Sequence, residues 1–310
     1  MTHTRSLLLV LGALLAVLAV LAPGFFEPGH LQSLALDHAP LLVAAAGMTL
    51  LITAGQIDIA IGAEVAVCAV VAGLAARTGL PRPLWMLAAP LTGALLGLMN
   101  GLLVARLRIP ALVATLATLA ILRGALRLVT GGVWIQQLPA DFQWCGFGQS
   151  AGQLVYPAFA AAVCVLLAVF TRYTAAGRAV LAVGNDAETA RLLGARPERV
   201  VTSVFVASGA LAGLAALLDQ TRSPTVAIEA GNGLELAAIA CVVLGGAAIR
   251  GGRGSVSGTA LGVLFFAAVS GLVFLHVDAV WERAIQGAIL LLAVARQAGP
   301  RGRAPEASHA

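Results

Sequence analysis

The chain has 310 residues, of which 60% are hydrophobic and only 11% charged, with a mean hydropathy of +0.95 and a formal net charge of +5. A soluble domain of this size cannot hide so much apolar surface, so lipid is the solvent that the composition calls for, and a water-soluble enzyme is excluded. All 19 basic residues are arginine, and without a lysine the chain has no Walker-type phosphate loop, whose lysine must reach the β- and γ-phosphates.

Apolar runs of about 17–25 residues are long enough to cross a hydrocarbon core. With Gly, Pro and Arg as punctuation they fall near 6–22, 36–54, 59–76, 84–104, 110–127, 154–171, 200–218, 234–249, 255–275 and 280–295. The expected fold is an all-α integral membrane protein of about ten transmembrane helices, with residues 1–310 as one domain. The first run carries only Arg5 ahead of it and Pro23-Gly24-Phe25-Phe26-Glu27 behind it, which reads as a span rather than a cleaved signal. Placing the N-terminus inside puts 13 arginines on the inner side and 6 on the outer, the bias that the positive-inside rule requires. Both termini are therefore predicted to be cytoplasmic.

Span three opens with Asp58 and carries Glu64, and span eight carries Glu235. Charged groups at such positions face a bundle interior or a water-filled path, so these three are candidates for the translocation pathway. Asp58 also fits a helix cap, Glu235 fits either role, and Glu64 reads as a pathway residue. In span four Gly93, Gly97 and Gly101 lie on one helix face, and Gly254, Gly258 and Gly262 do the same in span nine, which predicts close helix seams. The two ridges sit five spans apart, and Ala54-Gly55 ahead of span three is echoed by Ala230-Gly231 ahead of span eight. That pattern predicts an inverted five-helix repeat. Arg123 and Arg127 share a face near the outer boundary, suited to snorkelling or to the acidic surface of an external protein. Trp134, Trp144 and Trp281 read as interfacial anchors.

The longest inner loop, about 172–199, has Asn185 or Asp186 as a cap, helix-forming sequence from Ala187 to Leu193, Gly194 as a stop and Pro197 beyond it. Apolar Ala190, Leu192 and Leu193 among its charges suit a helix that docks into a partner's groove. The five histidines and four cysteines show no metal-ligand spacing, and no acid/base or nucleophile set is present. No catalytic residue, metal or nucleic-acid site is expected.

Several ordered blocks carry a family resemblance. They are Ala54-Gly55-Gln56-Ile57-Asp58-Ile59-Ala60-Ile61-Gly62, Asn100-Gly101 followed by Pro110 and Thr115-Leu116 to Arg123-Gly124, the inner-loop residues Gly177, Arg178, Ala182, Gly184, Ala187, Ala190, Arg191 and Gly194, and Glu235-Leu236 through Gly245-Gly246 to Gly254-Ser255. Together they resemble the ribose-type sugar permeases of bacterial ATP-binding-cassette importers, and are similar also to rhamnose and autoinducer-2 importer permeases. Gln56 stands where that family has glycine, and Glu64 introduces a carboxyl just inside span three.

The resemblance implies a type II importer-like fold in the bacterial inner membrane and a multi-pass permease translocating a sugar or sugar-like solute. It implies three protein partners: a cytosolic ABC ATPase that binds ATP and Mg, a periplasmic or lipid-anchored solute-binding protein, and a second permease subunit, identical or paralogous. No cofactor is implied for this chain itself. The ATPase-coupling residues would be Gly184, Asn185, Glu188, Ala190, Arg191 and Gly194. The rival reading is a secondary transporter driven by an ion gradient, with Glu64 or Asp58 as the coupling carboxylate.

Overall fold

The computed structural model describes residues 2–271 together with 287, 288 and 291. The expected tenth span, Trp281 and the end of the ninth span lie outside the described residues. Helices account for nearly all regular structure: α1 (Thr2–Leu21), α2 (Pro28–Thr53), α3 (Ile61–Arg77), α4 (Arg82–Ala105), α5 (Ala111–Thr130), α6 (Gln149–Tyr173), α7 (Ala175–Asn185), α8 (Ala187–Leu192), α9 (Pro197–Gln220), α10 (Leu234–Leu244) and α11 (Val256–Ser270). Among them α2, α4, α5, α6 and α9 are long and apolar enough to cross a membrane, and α10, α11 and Ser6–Leu21 of α1 are shorter apolar segments.

Two helices form the centre. The most apolar stretches of α2 and α9 are 78% and 61% buried, against 33%, 28% and 17% for α4, α5 and α6, so the last three turn a broad leucine-rich surface outward. Helix α9 packs on α2, α3 and α4, while α6, α10 and α11 gather round α2.

The glycine ridge of α4 is the seam with α9. A methyl added at Gly93 would lie 1.9 Å from the Gly209 carbonyl oxygen, one at Gly97 would lie 2.2 Å from that of Phe205, and one at Gly213 would lie 2.4 Å from that of Ala89. Backbone thus meets backbone, and dispersion across the close approach supplies the cohesion that the hydrophobic effect cannot give between helices in lipid. The second ridge is also intrachain but meets a different partner: Gly258 abuts the Gly245 carbonyl and Gly262 that of Cys241, both from α10 and its end. Thr49 of α2 and Thr259 of α11 add a buried hydroxyl pair at 2.7 Å.

Helix α2 ends in a Schellman turn. Gly55 is left-handed at φ +76°, the Gln56 amide donates to Leu51 O (2.9 Å) and the Gly55 amide to Ile52 O (3.0 Å). Gln56 takes part through its main chain, so the side chain that replaces a glycine leaves this turn intact. The stretch 54–60 then interrupts the helical path before α3 begins.

A discontinuous helix, a polar cluster and a coupling surface

The eighth apolar run, expected as one span from 234 to 249, is instead the eleven-residue α10, preceded by an irregular stretch, 221–233, that enters the bundle. Val226 pairs with Ile135 through two 3.0 Å main-chain bonds and touches Gly73 of α3, whereas Gly231 meets Gly62 in the first turn of the same helix. At 1.5 Å per residue, that separation along α3 takes the chain inward by roughly 16 Å. Non-helical backbone at such depth survives only when its polar groups are satisfied by protein or face a water-filled cavity.

Arg123 supplies that satisfaction. Its guanidinium donates to the carbonyls of Ile228 (3.1 Å) and Ala230 (3.1 Å), a fork whose fixed donors match two nearby acceptors. Arg123 is therefore neither a snorkelling side chain nor free for an external partner, which corrects both expectations. Trp134, half exposed, donates from Nε1 to Glu229 Oε2 at 2.9 Å. Trp144 is buried against Tyr156, with ring centroids 5.5 Å apart, rather than standing at an interface.

Where α10 starts, the chain leaves a cavity of about 530 Å³, within the range of small-molecule sites. Asp37 of α2 and Asp219 near the end of α9 stand on its wall, Asn232 and Gly233 belong to the irregular stretch, and Val65 and Ala240 line it from α3 and α10. Asp37 is ion-paired with Arg222. Among the sequence-predicted pathway residues, Glu235 packs beside the Gly62–Gly231 contact: a methyl at Gly62 would lie 2.3 Å from both Glu235 Oε2 and Gly231 O. Its other carboxylate oxygen accepts from the Gly233 amide at 3.3 Å.

Asp58 and Glu64 are brought together, but inside the packed α3–α4–α5 contact rather than on the cavity wall. Both are fully buried. Asp58 Oδ1 accepts the Ala60 amide at 2.8 Å and so starts α3 as a local cap. Glu64 Oε1 accepts from Asn100 Nδ2 at 3.0 Å, and Asn100 Oδ1 accepts from Thr118 Oγ1 at 2.7 Å. Thr115 Oγ1 accepts the Ile59 amide at 3.2 Å. Asn100, Thr115 and Thr118 were quoted in the sequence only as parts of motifs. Their joint role needs the α3–α4–α5 contact, which spacing along one chain does not reveal.

On the opposite side, α7 was missed. Its residues follow α6 with Thr174 as a cap that accepts from the Gly177 amide, and arginine-punctuated Gly-Ala sequence hid the helix. Helix α8 begins and ends as its residues predict. Asp186 Oδ1 accepts the amides of Glu188 (3.0 Å) and Thr189 (3.2 Å), and Oδ2 accepts the Thr189 hydroxyl (2.6 Å). The Thr189 hydroxyl and the two amides hold the Asp186 carboxyl below the usual carboxylate range. Gly194 at φ +90° closes a second Schellman turn, with the Ala195 amide on Ala190 O and the Gly194 amide on Arg191 O, both at 3.0 Å. Ala190 turns inward and is buried, while Leu192 and Leu193 are 81% and 82% exposed. Arg191 is held by Glu188 and by Glu198 of α9.

The base of this surface is a three-way glycine junction. A methyl at Gly184 would lie 1.8 Å from Thr53 O, one at Gly251 2.8 Å from Gly55 Cα, and one at Gly252 2.8 Å from Asn185 Cα. The Gly252 amide donates to Thr53 O at 2.9 Å. The end of α7, the end of α2 and the approach to α11 thus meet through main chain, with no flexible side chain between them.

The family model for branched-chain amino acid transport system permease components matches residues 31–294. The chain is 37% identical over 290 residues to the autoinducer 2 import system permease protein LsrC of Escherichia coli O157:H7, and 37% identical over 290 residues to that of Shigella flexneri, covering 90% of this chain and 84% of each relative. It is 36% identical over 286 residues to the Salmonella paratyphi B protein of that name, covering 90% and 83%. No solved structure matches significantly. The chain belongs to the branched-chain amino acid transport system permease family and is a transmembrane permease subunit of an ATP-driven importer.

Proposed function

We propose that this permease moves a sugar or sugar-like solute, autoinducer 2 among the candidates, across the bacterial inner membrane. The carrying observation is the exposed Leu192–Leu193 pair at the tip of a doubly capped helix whose base is main chain packed on main chain. Two adjacent leucines facing water are an energetic liability unless a partner covers them, and a cytosolic ABC ATPase is the partner that the family supplies. ATP and Mg belong to that subunit, and this chain hydrolyses nothing.

Gly184, Asn185 and Ala190 then act as the mount of the coupling surface, Glu188, Arg191 and Gly194 fix its outer shape, and the leucines make the contact. Force applied there reaches Thr53 and Gly251 directly, and through them the start of α3, where Asp58 and Glu64 lie, and the approach to α11. Glu235 borders the pathway at the Gly62–Gly231 contact, and Asp58 and Glu64 lie behind it within the α3–α4–α5 contact. The irregular stretch ahead of α10 fits the discontinuous helices that transporters place at a substrate path. A carboxylate- and amide-bearing wall over aliphatic surface suits hydroxyl-rich cargo better than a branched-chain amino acid, whose carboxylate needs an unpaired cation there.

This chain has about ten spans with both termini cytoplasmic and an inverted five-helix repeat, and it assembles with a second permease subunit and a periplasmic or lipid-anchored solute-binding protein. Left-handed Gly55 and Gly231, each ahead of a helix that restarts inside the bundle, support the repeat. The experiment is uptake into proteoliposomes carrying this chain, its ATPase and its binding protein. The Leu192→Ser/Leu193→Ser variant keeps its thermal stability and loses at least about tenfold in ATP-driven uptake. Undiminished uptake in that variant, or uptake by the chain alone on an ion gradient, overturns the reading.

A further inference from the structure

The buried polar cluster holds two carboxyl groups that the transport reading does not require to be charged. Asp58 and Glu64 are both fully buried, six residues apart at the start of α3, and the Asn100 amide donates to Glu64. After every hydrogen bond is counted, Asp58 Oδ2 and Glu64 Oε2 have no partner among the described residues. None of the ion pairs there involves either residue. Two unscreened negative charges in such a site would cost several kcal/mol each, and one hydrogen bond from Asn100 and one from Ala60 do not offset them. The cluster therefore has to take up a positive charge.

A metal ion does not fit. Hard monovalent and divalent cations want about six oxygens, Asn100 Oδ1 is already committed to Thr118, and only two orphaned oxygens remain. Among the described residues no third His, Cys, Asp or Glu converges on them. A proton needs a single oxygen.

We propose that Asp58 and Glu64 together form a proton-binding site that holds one proton in this conformation, with Glu64 as the neutral member. Asp58 keeps its charge because it sits at the N-terminus of α3, where Oδ1 takes the Ala60 amide and the helix dipole favours an anion, whereas Glu64, inside the helix, has only the Asn100 amide. The groups facing Glu64 leave no competing charge. On α3 the nearby titratable group is the Cys68 thiol. Helices α4 and α5 present Asn100, Thr115 and Thr118. Between Val200 and Leu218 α9 has no titratable residue, and 39–57 has none on the α2 side. On α10 Glu235 lies behind the Gly62 backbone. The bound proton lets the α3–α4–α5 contact close, and the contact loosens as rising pH removes it. The inference holds whichever solute is carried.

The test is infrared spectroscopy of the purified permease in lipid vesicles at neutral pH, taken as wild type minus Glu64→Gln. The expected result is a protonated-carboxyl carbonyl band that Glu64→Gln lacks and that titrates away at alkaline pH. In parallel, wild-type thermal stability falls across that titration while the Glu64→Gln profile stays flat. Should Glu64→Gln not fold, Asp58→Asn keeps Glu64 and removes the neighbouring charge, so the band persists with its midpoint lowered by at least about one pH unit. Absence of the band from wild type at neutral pH, or an unchanged midpoint in Asp58→Asn, overturns the proposal. Transport assays are not involved, so these outcomes are separate from those that test the importer reading.

Discussion

Two interruptions of helical structure, one ahead of α3 and one ahead of α10, solve the same problem by different means. At 54–60 the chain turns at Gly55, and its main chain is met by other main chain: Thr53 by Gly184 and Gly252, and Gly55 by Gly251. At 221–233 the chain turns at Gly231, and the carbonyls around it are met by one long side chain, Arg123. Main chain on main chain leaves no rotamer to absorb a displacement, so the first break is rigidly tied to the end of α7. The second break is pinned at its ends by the Ile135–Val226 main-chain pair and by the Gly62–Gly231 contact, and between them the Ile228 and Ala230 carbonyls depend on a single side chain whose rotamer can change. The first break thus has no side chain that can yield, whereas the second has one.

The largest effect is expected where no atom can yield. Gly184→Val places its Cβ against the Thr53 carbonyl oxygen, an overpacking cost of about 3 kcal/mol or more, and should abolish recovery of monodisperse protein. If size-exclusion profile and uptake both stay at wild-type level, the inner break is softer than its geometry states. Arg123→Met leaves the Ile228 and Ala230 carbonyls without their donor at a cost of about 2–3 kcal/mol. Its distinguishing result is a basal ATPase rate that no longer depends on solute, with the coupling surface intact. Arg123→Lys, which retains the charge but loses the fork, should recover only part of that loss. Full recovery would show that charge, not the paired hydrogen bonds, holds the stretch.

What the residues disclosed and what they hid divides along the range of the interactions. Local chemistry was legible. Asp186, Ala187 to Leu193 and Gly194 specified a capped surface helix, because caps and left-handed stops act within one turn, and the glycine ridge of α4 announced a close seam. The partner of each seam was not legible, since Gly93 against Gly209 and Gly258 against Gly245 join segments far apart in sequence. Span eight misled because apolar length measures transfer to lipid, not helix continuity. Leu234 to Ile249 is apolar apart from Glu235, yet its helix ends at Leu244 and the Gly245-Gly246 turn follows. Arg123 misled in the converse sense: an arginine near the end of an apolar run is usually an anchor, and only the irregular stretch folded against it supplies two carbonyls.

The smallest effect sharpens the inner side of the comparison through pH. Asp186 is exposed, and its carboxyl is held below the ordinary carboxylate range by the Thr189 hydroxyl and by the amides of Thr189 and Glu188. A depressed folded-state value means that the cap's contribution is complete above the ordinary carboxylate range and is lost as pH falls through the depressed value. The helix α8 it starts is only six residues long, too short to persist without its ends, so acid should fray the coupling surface before it disturbs the bundle. Hydrogen exchange should show protection of the Leu192 and Leu193 amides falling with acid while α9 amides stay unchanged. Asp186→Ala should show the reduced protection at every pH, and Asp186→Asn, which still accepts an amide but carries no charge, should lie between them without the acid step. An acid step that persists in Asp186→Asn would assign it to Glu198, whose carboxyl is also held below the ordinary range and which pairs with Arg191, and would make that ion pair, rather than the cap, the feature that fixes the α8 helix.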